Sequence, residues 1–166
     1  NGQGKTTLMR TLAGDLARAH DSLQRAVELA DASEFLHAPV IARTVEAVVF
    51  AYAGRAAERR ATLEAAVALC ERIGFIGWLG SAWCILGLVL ARTDAGAAAL
   101  PHIERGVELA AKTGTTLFEA QRYCWWAEAL LRAGRVEDAR TRAASAITLG
   151  GATEERGIEA EALLVR

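Results

Sequence analysis

The amino-acid sequence predicts an all-α protein, a solenoid of antiparallel helix pairs, on three observations. Apolar residues recur at a step of 40 along the 166-residue chain. Glycines fall at matching turn positions within that step, and proline, the strongest helix breaker, occurs only twice. Much of the 52% hydrophobic share is alanine, the best helix former and a side chain small enough to let helices approach closely.

The repeat is read most directly from four columns. Leu23, Leu63, Ile103 and Ala143 form one, and Ala26, Ala66, Gly106 and Ala146 a second. Val27, Val67, Val107 and Ile147 form a third, and Leu29, Leu69, Leu109 and Leu149 a fourth. Within each copy these positions share one face of a helix. Upstream stand the turn glycines Gly14, Gly54 and Gly134, with Asp94 and nearby Gly96 in the third copy. Glycine just past a helix end accepts the left-handed conformation that terminates it. Five residues after the turn come Ala19, Arg59, Ala99 and Ala139. Ahead of it, small residues recur at Ala47, Gly87 and Ala127, each followed three later by Phe50, Leu90 or Leu130. Trp83 and Tyr123 stand four before the small residue, while Arg43 breaks that column.

Each unit is therefore a helix, a glycine turn and a second helix, and no unit can bury its apolar face alone. In chain order, residues 1–14 form a separate segment with helical spacing at Leu8 and Leu12, and 15–166 form the repeat domain. Its copies are 15–33 (partial), 34–73, 74–114, 115–153 and 154–166 (partial). Helices are expected over Phe35–Ala53, Arg55–Ile73, Phe75–Arg92, Ala97–Lys112, Thr116–Ala133, Arg135–Leu149 and Glu154–Arg166. Pro39 fits the first turn of its helix, whereas Pro101 demands either a start near Ala99 or a kink. The chain begins inside one copy and ends inside another, so it is expected to be a piece of a larger protein.

Charge excludes some functions. The 19 basic and 20 acidic residues nearly cancel and are interspersed, which counts against nucleic-acid or anionic-membrane binding. Cys70, Cys84 and Cys124 contain no CxxC pair and read as buried free thiols of a reducing compartment. The most apolar run, Ile85 to Ala91, is far short of the roughly 20 residues of a membrane span. A cytoplasmic location is the expectation.

The large-small-large spacing of Trp83, Leu86, Gly87 and Leu90, followed by Ala99 and Gly106, resembles the tetratricopeptide pattern. The step of 40 exceeds the usual period of about 34 and is similar to the long-helix variant of large bacterial regulators. Glu71-Arg72-Ile73-Gly74-Phe75 with Trp78-Leu79, and Glu154 to Ala160 with Leu163, resemble repeat segments of ATPase-linked adenylate cyclases. The resemblance covers residues 15–166. It implies a right-handed solenoid whose first helices line a concave groove holding a protein or peptide segment, or a sensed ligand.

Residues 1–14 carry a different resemblance. Gly4-Lys5-Thr6 matches the end of a phosphate-binding loop of transporter-type ATPases, where lysine reaches the outer phosphates and the hydroxyl holds magnesium. The motif's first glycine is absent, and no Walker B aspartate run follows before repeat sequence starts at Asp15.

Other chemistry is sparse. His20, His37 and His102 lack partners at metal-ligand spacing, so neither a metal nor a cofactor is expected, nor a catalytic residue. Cys84 and Cys124 share a column and are candidates to approach each other. Trp78, Trp83, Tyr123, Trp125 and Trp126 sit at helical spacing, where aromatics are more often core than ligand pocket. Trp125 stands between the core columns and could face the groove. With it go Gln121, Glu128 and Arg132, and on preceding repeats Leu88, Arg92, Val48 and Tyr52, as a candidate partner-binding groove.

The function this supports is a non-catalytic interaction or sensor scaffold from a bacterial signalling or transcription regulator. The alternatives are a fragment of a nucleotide-binding regulator using Lys5 and Thr6, and a small-ligand sensor. The last helix carries Ile158, Ala162 and Val165 with no second helix to cover them, so self-association there is a further expectation.

Overall fold

A computed structural model describes residues 16–93, 96–152 and 156–165. Eight α-helices and no strand occur among them: α1 (Leu16–Asp31), α2 (His37–Tyr52), α3 (Arg60–Arg72), α4 (Ile76–Thr93), α5 (Gly96–Thr113), α6 (Glu119–Arg132), α7 (Val136–Ala152) and α8 (Arg156–Val165). A short 3-10 turn, Ala56–Arg59, leads into α3, so the helix expected from Arg55 opens with a tighter turn. The expected signals at Gly14 and Asp94 lie outside the described residues, as do Leu8, Leu12 and Glu154 and the side chain of Val165.

Each helix packs against the next in sequence, and α2, α4, α6 and α8 also pack in a row, each touching the next-but-one. Within the pairs α2–α3 and α6–α7 the turn is a glycine turn. Gly54 and Gly134 have φ of 75° and 76°, a left-handed conformation that costs an L side chain roughly 1 kcal/mol or more. Arg55 N–H donates back to Phe50 O and Arg135 N–H to Leu130 O, closing both helix ends in the same way. Gly74 and Gly114 repeat the device between copies, at φ of 67° each, a second pair 40 apart that the sequence reading passed over.

The α4–α5 pair shows what the small residues do. A Cβ on Gly87 would stand 2.2 Å from Ile103 Cγ1, and one on Gly106 would stand 2.5 Å from Gly80 O. Gly87 meets Ala99 and Ile103 while Gly80 meets Gly106 and Ala110, so the two helices run antiparallel with backbones nearly touching. Gly96 is pressed against the Arg132–Ala133 backbone of α6 in the same manner. The helix that starts there passes through Pro101 without a break. It begins three residues before Ala99, so proline sits beyond the first turn. Pro39, by contrast, is the third residue of α2, where its missing N–H is one of the unpaired set anyway.

Burial bears out the first column and most of the second, where Ala26 is exposed, finds the third half-buried except at Val67, and corrects the fourth. Leu23, Leu63, Ile103 and Ala143 are all buried, as are Ala47, Gly87, Ala127 and the Phe50, Leu90, Leu130 set. Leu29, however, is 64% exposed, and Leu69, Leu109 and Leu149 are half-buried. The closed column is one residue later, at Ala30, Cys70, Ala110 and Gly150. A face built on i, i+3, i+4 and i+7 lands there, and only small side chains fit.

The helix α4 is 18 residues long with a mean hydropathy of 1.4, enough by length and composition to cross a membrane, which the shorter apolar run did not suggest. Seventy-eight per cent of it is buried inside the protein, which accounts for its apolar character. The last helix corrects another expectation. Ala162 is fully buried and Ile158 packs with Cys124, Ala127, Ala143 and Ala146 of α6 and α7. The uncovered side chains of α8 are instead Leu163 and Leu164, at 57% and 87% exposure.

A Gly87→Ala substitution is expected to lower unfolding free energy by about 1–3 kcal/mol, because the added methyl group displaces Ile103. Gly77→Ala in the same helix meets nothing within 4 Å and is expected to be neutral or stabilising by up to about 1 kcal/mol. Urea unfolding of the two variants checks the difference.

Candidate functional site

The densest polar chemistry gathers around Tyr52, the last residue of α2. Arg92 near the end of α4 and Arg132 at the end of α6 follow it at the same register, so the row of first helices carries all three to one side. The Tyr52 hydroxyl accepts from Gln121 Nε2 at 2.8 Å and from Trp125 Nε1 at 3.1 Å. It donates to Glu161 Oε1 at 2.6 Å. The second N–H of Gln121 donates to Glu161 Oε2 at 2.9 Å. The phenol thus uses its donor and both acceptor sites. Burial and the Glu161 carboxylate beside it hold its pKa well above the ordinary 10.0.

Arg92 extends the network. Its guanidinium lies 4.5 Å over the Tyr52 ring and binds Glu128 through two bonds of 2.9 and 2.7 Å. Arg132 reaches the same carboxylate at 3.0 Å from one turn on. Planar two-point pairs of this kind are the stronger sort of ion pair, and here both partners are mostly shielded from solvent.

The structure therefore brings together all eight groove candidates, but not as an open groove. Val48, Leu88 and Trp125 are closed to solvent and belong to the main hydrophobic core, against which Tyr52 packs. Gln121 is buried as well. Polar side chains of adjacent first helices meet each other, and these apolar residues are closed to solvent. Solvent reaches the site at Tyr52, Arg92, Glu128 and most freely at Arg132. The sequence reading missed Glu161. Its signal was available: it stands 40 residues after Gln121, at the same register of the next first helix.

A ladder of aromatic contacts runs along the starts of the first helices: Phe35–His37–Phe75–Trp78–Phe118–Trp125, with ring centroids 4.3–6.4 Å apart. Trp78 also donates to the buried Thr44 hydroxyl at 3.0 Å. Phe118 adopts φ of 59°, the one left-handed non-glycine among the described residues, and its ring lies between Trp78 and Trp125. This conformation sets the start of α6 three residues later than expected. Below it, the buried Arg122 donates to Leu117 O and to Thr115 O, and burial lowers its pKa. Trp83 and Trp126 point elsewhere. Trp83 stacks on His102 and lies under Arg105, beside an open cleft of about 290 Å³ between α3, α4 and α5, while Trp126 lies under Arg142.

The three thiols are free and buried. Cys84 and Cys124 do not pair: Cys84 Sγ donates to Ile103 O of α5, and Cys124 Sγ to Ile158 O of α8. Among the described residues no three His, Cys, Asp or Glu side chains converge as metal ligands would. The candidate phosphate ligands Gly4, Lys5 and Thr6 lie outside the described residues. Compared with models of known protein families and with curated proteins, the chain matches none.

The thiols generate a pH prediction. Burial pushes Cys84 and Cys124 to about 12 and Cys70 to about 11, against an ordinary value of 9.0. The unfolded chain therefore releases these protons first, so the stability linked to them is complete below pH 9 and is lost as pH rises toward 12. Tyr52 acts in the same sense above its ordinary 10.0. Urea midpoints under reducing conditions are expected to fall steadily over that window, and a flat profile would contradict the assignment.

Proposed function

We propose that this chain is a non-catalytic interaction scaffold of the tetratricopeptide type. In this reading the helix pairs α2–α3, α4–α5 and α6–α7 are successive repeats of a right-handed solenoid, with α1 and α8 as parts of flanking copies. The row α2, α4, α6, α8 is its concave side and the seat of a protein or peptide segment. The carrying observation is that polar side chains from all four of these helices, Tyr52, Arg92, Gln121, Glu128, Arg132 and Glu161, converge on one face. The buried faces of the second helices carry mainly Ala, Leu, Ile and Val instead. Chemistry concentrated on one face of a stacked array is what a recognition surface needs. By resemblance, the parent protein is a cytoplasmic bacterial signalling or transcription regulator. Leu163 and Leu164 are the side chains through which self-association would run, and sedimentation at increasing concentration tests for it.

Panning a random peptide display library against the chain tests the reading. Selected peptides are expected to lose about tenfold or more in affinity on Arg132→Glu or Glu128→Lys, and to ignore Lys112→Glu on α5. Peptides that follow Lys112 and ignore Arg132 would place recognition on the other side. Calorimetry with ATP and magnesium, with Lys5→Ala as control, is expected to show no binding. Micromolar binding lost in the variant would favour the nucleotide reading.

A further inference from the structure

The contact between Tyr52 and Glu161 joins the first and last of the described first helices, 109 residues apart in sequence. The backbones of α2 and α8 do not meet: α2 packs on α1, α3, α4 and the 3-10 turn, and α8 only on α6 and α7. Side chains alone bridge the gap. A stacked array is held mainly by nearest neighbours, so a bond that skips two members constrains its curvature as no neighbour contact does.

Apart from this bond, α8 is held by its packing on α6 and α7. It has 10 residues, too few for a helix to be stable alone in water. Among its described side chains Ala162 is the one fully buried, Ile158 is half-buried, and Leu163 and Leu164 face solvent. Against this modest apolar anchorage, Glu161 contributes two short charge-assisted hydrogen bonds, to the Tyr52 hydroxyl at 2.6 Å and to Gln121 at 2.9 Å. The receiving end is rigid. Tyr52 is fixed by Trp125 from α6 and covered by Arg92 from α4, itself locked to Glu128.

We propose that Tyr52 and Glu161 form a clasp that keeps the row of first helices curled, and that its release frees α8 and opens the face the row encloses. The inference rests on the scaffold reading for its meaning, since the opened face is the one assigned to partners. In the open state the Tyr52 hydroxyl and the Gln121 amide lose their shared acceptor Glu161 and become available to a ligand. Cys124 is uncovered at the same moment, because its thiol is bonded to Ile158 O on the inner side of α8.

The thiols supply the test. Tyr52→Phe removes the hydroxyl and keeps the ring under Arg92, and Glu161→Ala removes the carboxylate from a helix that tolerates alanine. In each, labelling of Cys124 by a disulfide reagent, followed by peptide mass spectrometry, is expected to accelerate about tenfold or more. Cys84, which is bonded to α5, is expected to keep its rate. The radius of gyration from solution scattering is expected to increase. Arg105→Ala, which removes the exposed pair with Glu71, serves as the unaffected control. An unchanged Cys124 rate in either folded variant overturns the clasp. So does a parallel rise at Cys84, which would mean general loosening; if Tyr52→Phe does not fold, Glu161→Ala decides alone. Neither readout uses a partner, so failure here leaves the peptide experiment to judge the scaffold reading independently.

Discussion

The structure depends on the near-contact of helix backbones at small residues. Where α4 crosses α5, Gly87 lies against Ile103 and Gly80 against Gly106, and no side chain larger than hydrogen fits at those points. That closeness lets Ile85, Leu88, Val89 and Leu90 on one helix and Ala99, Leu100 and Ile103 on the other share one core. The rest follows from repetition. Ala47 and Ala127 are the corresponding small residues of α2 and α6, and each is completely buried. Dispersion is lost steeply with distance, so separating two helices by the width of a methyl group would forfeit much of the contact along their length.

The densest polar contacts lie along the row of first helices. There the side chains at the helix ends extend past the core and meet each other. Tyr52 illustrates the balance: its ring packs on the core while its hydroxyl is satisfied three times over. A buried phenol without those partners would cost on the order of 1–3 kcal/mol. The Arg92–Glu128 pair sits next to it because each charge is matched at two points. Removing either partner would strand the other in a poorly solvated place. The polar groups around Tyr52 are thus a connected network, and a change at one member is felt on four helices.

Arg122 and Phe118 show the same economy at the start of α6. A buried guanidinium satisfied by loop carbonyls fixes the loop, and the loop in turn holds Phe118 in its left-handed conformation between two indoles. No periodic pattern announces this arrangement. It arises because the third inter-copy turn has Thr115 where the first two have Phe35 and Phe75, and Phe118 fills the aromatic ladder from a different position.

The sequence by itself determined the helices, their pairing and most of their buried faces, because these rest on local quantities: alanine content, glycine at helix ends, and a step of 40 that needs no gaps. It also placed Tyr52, Arg92, Gln121, Trp125, Glu128 and Arg132 on a common side, since register carries over from one copy to the next. Tertiary structure alone decided the rest. The fourth column of the second helices proved half-exposed at Leu69, Leu109 and Leu149, with Cys70, Ala110 and Gly150 behind them, because the depth available depends on how near the neighbouring helix lies. Whether Val48, Leu88 and Trp125 lined a surface or filled a core depended on how closely neighbouring helices of the row approach. The meeting of Tyr52 with Glu161 depended on it too. Both are set by contacts between helices far apart in sequence, and no single residue spacing encodes them.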